Sequence, residues 1–134
     1  MIDFSTYFRK EPDLILKVPT PPSVNACYKS FVKNGKILRA KSKQYKDWVT
    51  AANNYLFLNQ YEYYTLQPPY AVIYEVAKPH DNRRRDVANY EKPLTDFLVT
   101  KKVFEDDYLI EANIQTWAYN AEVGFVTCNI FSLE

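Results

Sequence analysis

The sequence predicts an α+β fold, a mixed β-sheet with two main helices packed on it. Three observations carry this. Strand-like runs open and close the chain. Two stretches, 43–59 and 87–101, repeat apolar residues at helical spacing. The second of these lies between two strand patterns, 70–77 and 109–119, which suits a right-handed parallel crossover. A length of 134 residues fits one domain, residues 1–134. A chain near ~150 residues buries about two thirds of its unfolded surface, so a single core is feasible.

The elements follow in order. Residues 13–18 read as a short strand. Pro19-Thr20-Pro21-Pro22-Ser23 then demands an extended loop, because proline fixes φ and lacks a donor. Lys29–Val32 and Lys36–Arg39 flank Asn34-Gly35, the strongest short signal for a hairpin. Ser42 is a candidate N-cap for a helix at 43–59, whose stripe is Tyr45, Trp48, Val49, Ala52, Tyr55 and Leu56. Pro68-Pro69 ends the next loop, and Tyr70–Ala77 reads as a strand. After a polar loop, the 87–101 helix buries Val87, Tyr90, Leu94, Phe97 and Leu98. At about 100° per residue, Asn89, Lys92 and Asp96 fall on its other side. Pro93 removes one helical bond, to the carbonyl of Asn89, and so kinks or tightens the first turns. Strands at 109–119 and 123–131 close the chain.

Composition is ordinary for a globular protein, at 47% hydrophobic and 25% charged, apart from twelve tyrosines that favour strands and amphipathic surfaces. Cys27 and Cys128 lack paired metal spacing and read as buried small hydrophobes. The single histidine, His80, excludes a histidine-rich zinc site and reads as a loop residue. Neither a signal peptide nor a membrane span is visible, so the expected location is the cytoplasm. The net charge of +1 hides an asymmetry. Residues 29–46 carry Lys29, Lys33, Lys36, Arg39, Lys41, Lys43 and Lys46 without an acid, while residues 105–134 carry six acids and no Lys or Arg. A local basic segment is the usual footprint of phosphate binding, although a solvated lysine-rich face has the same composition.

The chemistry concentrates in Arg83-Arg84-Arg85-Asp86-Val87-Ala88-Asn89, with Lys92, Asp96 and Asp106-Asp107 after it. Phosphodiester hydrolysis needs activated water and neutralisation of charge on phosphorus, which two Mg²⁺ ions held by carboxylates supply. Asp86, Asp96, Asp106 and Asp107 can converge in a compact strand–helix–strand unit. Their structural alternative is a helix cap at Asp86 and a turn at Asp106-Asp107. Three adjacent arginines have little use in folding and suit bidentate phosphate contacts. Lys92 can neutralise phosphate charge or simply pair with Asp96 at i+4.

These segments resemble the RusA-type crossover junction endodeoxyribonucleases, Holliday junction resolvases common in bacteriophages and prophages. Pro21-Pro22-Ser23-Val24-Asn25 with Tyr28, the Arg-rich segment from Arg83 through Asp96, and Val103-Phe104-Glu105-Asp106-Asp107 carry the resemblance over about residues 15–120. It implies a RusA-like homodimer that resolves four-way DNA junctions by paired hydrolysis in the cytoplasm of a bacterial or phage-infected cell. It implies Mg²⁺, two ions per site with Mn²⁺ as substitute. Asp86, Lys92 and Asp107 would be catalytic, with Asp86, Asp106, Asp107 and Asp96 the metal-binding acids. Arg83, Arg84, Arg85, Asn25, Tyr28, Lys29, Lys33, Lys36 and Arg39 would hold DNA.

Ala88 departs from the family pattern, which has a second essential aspartate there. Either it is an engineered Asp→Ala change that leaves DNA bound but uncut, or it is native and Asp96, Asn89 or Glu91 completes the metal shell. Beside the endonuclease reading stand a non-catalytic junction-binding protein and a protein-binding domain with a Tyr-rich surface.

Overall fold

In the computed structural model, which describes residues 11–134, a four-stranded sheet carries helices on one face and a separate hairpin stands beside it. The order is β1 (Leu14–Pro19), a single helical turn α1 (Val24–Cys27), β2 (Tyr28–Lys33), β3 (Lys36–Lys41), α2 (Lys43–Leu58), β4 (Tyr70–Ala77), α3 (Glu91–Thr100), β5 (Ile110–Ala118) and β6 (Phe125–Ser132). Short 3₁₀ segments, Val87–Tyr90 and Asp107–Leu109, lead into α3 and β5.

The sheet order is β1-β6-β4-β5. β4 and β5 are parallel, and β6 runs antiparallel to both β4 and β1. The sheet is therefore mixed, and the parallel crossover expected around α3 is present. Side chains alternate across a strand, so residues in register share a face. Three rows form the helix-facing side: Leu14–Ile130–Val72, Leu16–Cys128–Tyr74 and Val18–Val126–Val76. Every one of these residues is buried. β5 extends the rows with Asn113, Gln115 and Trp117. The opposite face holds Ile15, which is exposed, and a hydrogen bond from Asn129 to Glu75 at 2.7 Å.

The helix at Lys43–Leu58 begins where Ser42 predicts. The Ser42 hydroxyl accepts from the Tyr45 N–H at 3.2 Å and itself donates to the Ala26 carbonyl at 2.6 Å. Tyr45, Trp48, Ala52 and Leu56 are buried, while Val49 and Tyr55 lie at the margin of the stripe. The Trp48 indole donates to the Pro19 carbonyl at 2.9 Å and meets Phe97 edge-on at 5.1 Å, which ties α2 to both β1 and α3.

The stretch 87–101 is not one uniform helix. It starts as a 3₁₀ turn and becomes α-helical at Glu91. Pro93 sits in the first turn of α3, where a missing N–H costs least. The winding of the 3₁₀ turn, about 3.0 residues per turn, advances the phase of the residues before it. The hairpin closes through Asn34 (φ 52°) and Gly35 (φ 75°), both in the left-handed region that a two-residue turn of this kind needs. Both cysteines are buried; the Cys27 thiol donates to the Pro22 carbonyl at 3.2 Å. No described helix is long and apolar enough to cross a membrane.

Candidate functional site

The residues singled out in the sequence gather at two places along one helical path. The first is the N-terminal end. Asp86 is the N-cap of the 3₁₀ turn, and its Oδ1 accepts the Ala88 N–H at 3.1 Å. Around it Ser23, Arg83, Arg84, Arg85, Asn89 and Tyr90 line an open cleft of about 480 Å³. The three arginines are not equivalent. Arg85 binds Asp81 at 2.7 Å, and this contact holds the Asp81 carboxyl below its ordinary pKa. Arg83 and Arg84 line the cleft and form no direct ion pair among the described residues, although the charge of Arg83 also acts on Asp81.

The second place is the middle of α3, where the chain doubles back. After Thr100, Lys102 takes φ 64° and the Val103 N–H returns to the Leu98 carbonyl at 3.0 Å. Buried Val103 and Phe104 pin this return. It carries Asp106 and Asp107 alongside the helix. Asp106 caps the following 3₁₀ turn, its Oδ1 accepting the Asp107 N–H at 2.7 Å. A hydrogen bond with the Asp106 side chain raises the Asp107 pKa above its usual value. Partial loss of hydration and the charges of Asp106 and Asp96 push the same way, and Lys92 opposes them. Lys92 pairs with Asp96 at 3.4 Å.

Tyr28, the first residue of β2, completes this corner. Its hydroxyl donates to Asp96 Oδ2 at 2.5 Å, Lys92 lies 5.3 Å from its ring centroid, and Arg39 lies 5.6 Å from it. Burial, and then the bond to Asp96, raise the Tyr28 pKa, so it stays a protonated donor. Tyr28 also packs on Tyr45 at 5.6 Å, and Tyr45 on Trp48 at 5.8 Å, so the corner rests on the core through aromatic rings.

The sequence reading therefore meets the structure unevenly. Asp96, Asp106, Asp107 and Lys92 come together. Asn89 lines the arginine cleft, which neither Lys92 nor Asp96 does. Asp86 lies six residues before Lys92, at the start of the 3₁₀ turn that leads into α3. Among the described residues no group of three or more His, Cys, Asp or Glu is placed to hold a metal ion. The adjacent Asp106 and Asp107, hard oxygen donors whose mutual repulsion is only partly offset by Lys92, fit one divalent cation. Among the described residues, the further carboxylates of a two-ion site, with ions about 4 Å apart, are not assembled.

Glu91 is committed elsewhere. Its Oε1 accepts from Thr95 at 2.9 Å and from Asn113 at 2.7 Å, and Thr95 in turn meets the buried Tyr74 hydroxyl at 2.8 Å. This polar chain, with Gln115 donating to Asn113 at 2.5 Å, locks α3 to β4 and β5. Sequence reasoning missed it, and the only signal was two polar residues at helix-facing positions of β5. Asn25 is exposed in α1, two residues after Ser23 of the arginine cleft. Lys29, Lys33, Lys36 and Arg39 are all exposed along the hairpin.

A cationic cleft thus stands at the N-terminal end of the helical path, and a carboxylate corner stands beside the middle of α3. The profile of the endodeoxyribonuclease RusA family matches residues 19–127, most of the chain. The chain belongs to that family, and with it to the DNA nucleases. A comparison with curated proteins gives no match.

Proposed function

We propose that this chain is a Mg²⁺-dependent, structure-selective endonuclease that cuts four-way DNA junctions as a homodimer. The observation that carries this reading is the Asp107 corner, where two adjacent carboxylates meet Asp96 and Lys92 of α3, the helix whose N-terminal approach forms the arginine cleft. A two-fold symmetric junction calls for paired cuts, which a two-fold dimer supplies.

Arg83 and Arg84 hold the backbone phosphates and fix the strand against the N-terminal end of the helix. Asp106 and Asp107 would hold the cation. When bound, Mg²⁺ supplies a water acidic enough to deprotonate near neutral pH and takes up charge on the phosphoryl oxygens. Lys92 places a positive charge beside the reacting phosphate, and Tyr28 and Asp96 fix the position of its ammonium group.

A labelled four-way junction incubated with Mg²⁺ and either this chain or its Ala88→Asp variant tests the reading. Nicking by at least one of them is expected, and cleavage by neither refutes the enzyme. Sedimentation of the free protein checks the dimer.

One observation favours a second reading, a junction binder without cleavage. At position 88 a methyl group stands where the family has a carboxylate, and the Asp86 carboxylate is engaged as a cap on the Ala88 N–H. Tight junction binding that Ala88→Asp leaves unchanged, still without cleavage, distinguishes this from the nuclease.

A further inference from the structure

The β2–β3 hairpin stands outside the site just described, and nothing in the described chain covers it. Every residue from Lys29 to Lys41 is exposed. The register pairs Phe31 with Leu38 and Val32 with Ile37, next to the Asn34-Gly35 turn. Paired residues share a face, so Phe31–Leu38 lies on one side of the ribbon and Val32–Ile37 on the other. Val32 is 72% exposed, Ile37 77%, Phe31 44% and Leu38 40%. A single exposed apolar side chain is ordinary, but four at one tip are not. Around them stand Lys29, Lys33, Lys36, Arg39 and Lys41, with no acid in the ribbon.

That charge pattern selects the occupant. A second copy meeting the tip with its own hairpin would set cation against cation. A polyanion is attracted by the same residues, and its bases offer flat apolar faces between charged backbones. Six residues at about 3.3 Å each give the ribbon a reach of about 20 Å, which matches the scale of a DNA helix. Its base is Tyr28, bonded to Asp96 in the carboxylate corner, so the ribbon projects from beside the site.

We propose that the hairpin tip is a branch-point wedge. Val32, Ile37 and Phe31 pack against bases unstacked at the junction centre, and the flanking lysines hold the phosphates on either side. Apolar side chains inserted between base steps are a general way to recognise deformable or open DNA. A continuous duplex charges the full cost of unstacking, whereas a four-way junction has already lost part of its stacking at the centre. The wedge would therefore set selectivity for branched over linear DNA. The inference rests on the branched-DNA reading above.

The test compares the full chain with the double variant Val32→Thr/Ile37→Thr, whose β-branched residues keep strand propensity at exposed positions. Affinities for a four-way junction and for linear duplex of the same arms are measured, with 2-aminopurine at the branch point as a stacking reporter. The expected result is a roughly tenfold loss of junction affinity, unchanged duplex affinity, and loss of the fluorescence gain that the unaltered chain produces. A junction-to-duplex ratio unchanged in the variant overturns the wedge while leaving branched-DNA binding intact. A variant that becomes monomeric while the unaltered chain is a dimer, with the ratio unchanged, overturns it in favour of self-association through the tip. If the unaltered chain itself shows no preference for the junction, the branched-DNA reading fails and the wedge fails with it. Melting curves of the two proteins should coincide, because neither residue is packed.

Discussion

The arginine cleft and the carboxylate corner flank one helical path yet differ in how they are held. The cleft hangs on a 3₁₀ turn and a polar loop, and its walls are long side chains. The corner is braced from three sides: by the Val103–Phe104 return, by Tyr28 from the hairpin and by the Glu91–Thr95–Asn113 chain beneath. The cleft is therefore suited to grip a backbone that varies in position. The corner is suited to reacting atoms that must be placed within fractions of an ångström.

Substitutions can separate the two regions. In the Ala88→Asp background, Asp107→Asn should reduce junction cleavage by on the order of 10³-fold. Junction affinity in a gel-shift assay should stay within about twofold, because charge handling is lost while phosphate contacts remain. Equal loss of binding and cutting would show that the corner also grips DNA. Next in size, the double change Arg83→Ala/Arg84→Ala should weaken junction and duplex alike. It should also reduce the slope of log affinity against log salt by about 2, one per lost phosphate contact, without altering the melting temperature.

Arg85→Ala should behave differently from its neighbours, since its guanidinium already binds Asp81. That pair is partly exposed, so the expected stability cost by thermal melting is under about 1 kcal/mol, and the salt slope should hardly change. An effect on the slope as large as that of Arg84→Ala would mean that Arg85 leaves Asp81 to reach DNA. The mildest test is Tyr28→Phe, which removes the donor to Asp96 and keeps the ring. A stability loss of about 1 kcal/mol and a severalfold lower cleavage rate at unchanged affinity are expected from the freed Asp96 and the looser Lys92.

Much of this molecule is legible in its sequence because the deciding signals are local. Asn34-Gly35 fixes the hairpin, Ser42 starts α2, and Pro93 falls in the first turn of α3, just after the 3₁₀ turn. The sheet order is not local. β6 inserts between β1 and β4 through pairings such as Leu16–Cys128 and Tyr74–Cys128, which no short window contains. The site divides the same way. The Lys92–Asp96 pair follows from i+4 spacing, whereas Tyr28 meets Asp96 across 68 residues of chain.

The buried thiols have a practical consequence. Burial in apolar surroundings pushes the pKa of Cys27 to about 11 and that of Cys128 to about 12, which leaves almost no thiolate at neutral pH. The thiolate is the reactive form, so the folded chain should resist alkylating reagents and air oxidation. A fluorophore or spin label placed on a cysteine introduced at the hairpin turn would then be attached selectively, with both native cysteines left in place. Distances from that tip to labelled DNA arms become measurable on the intact protein.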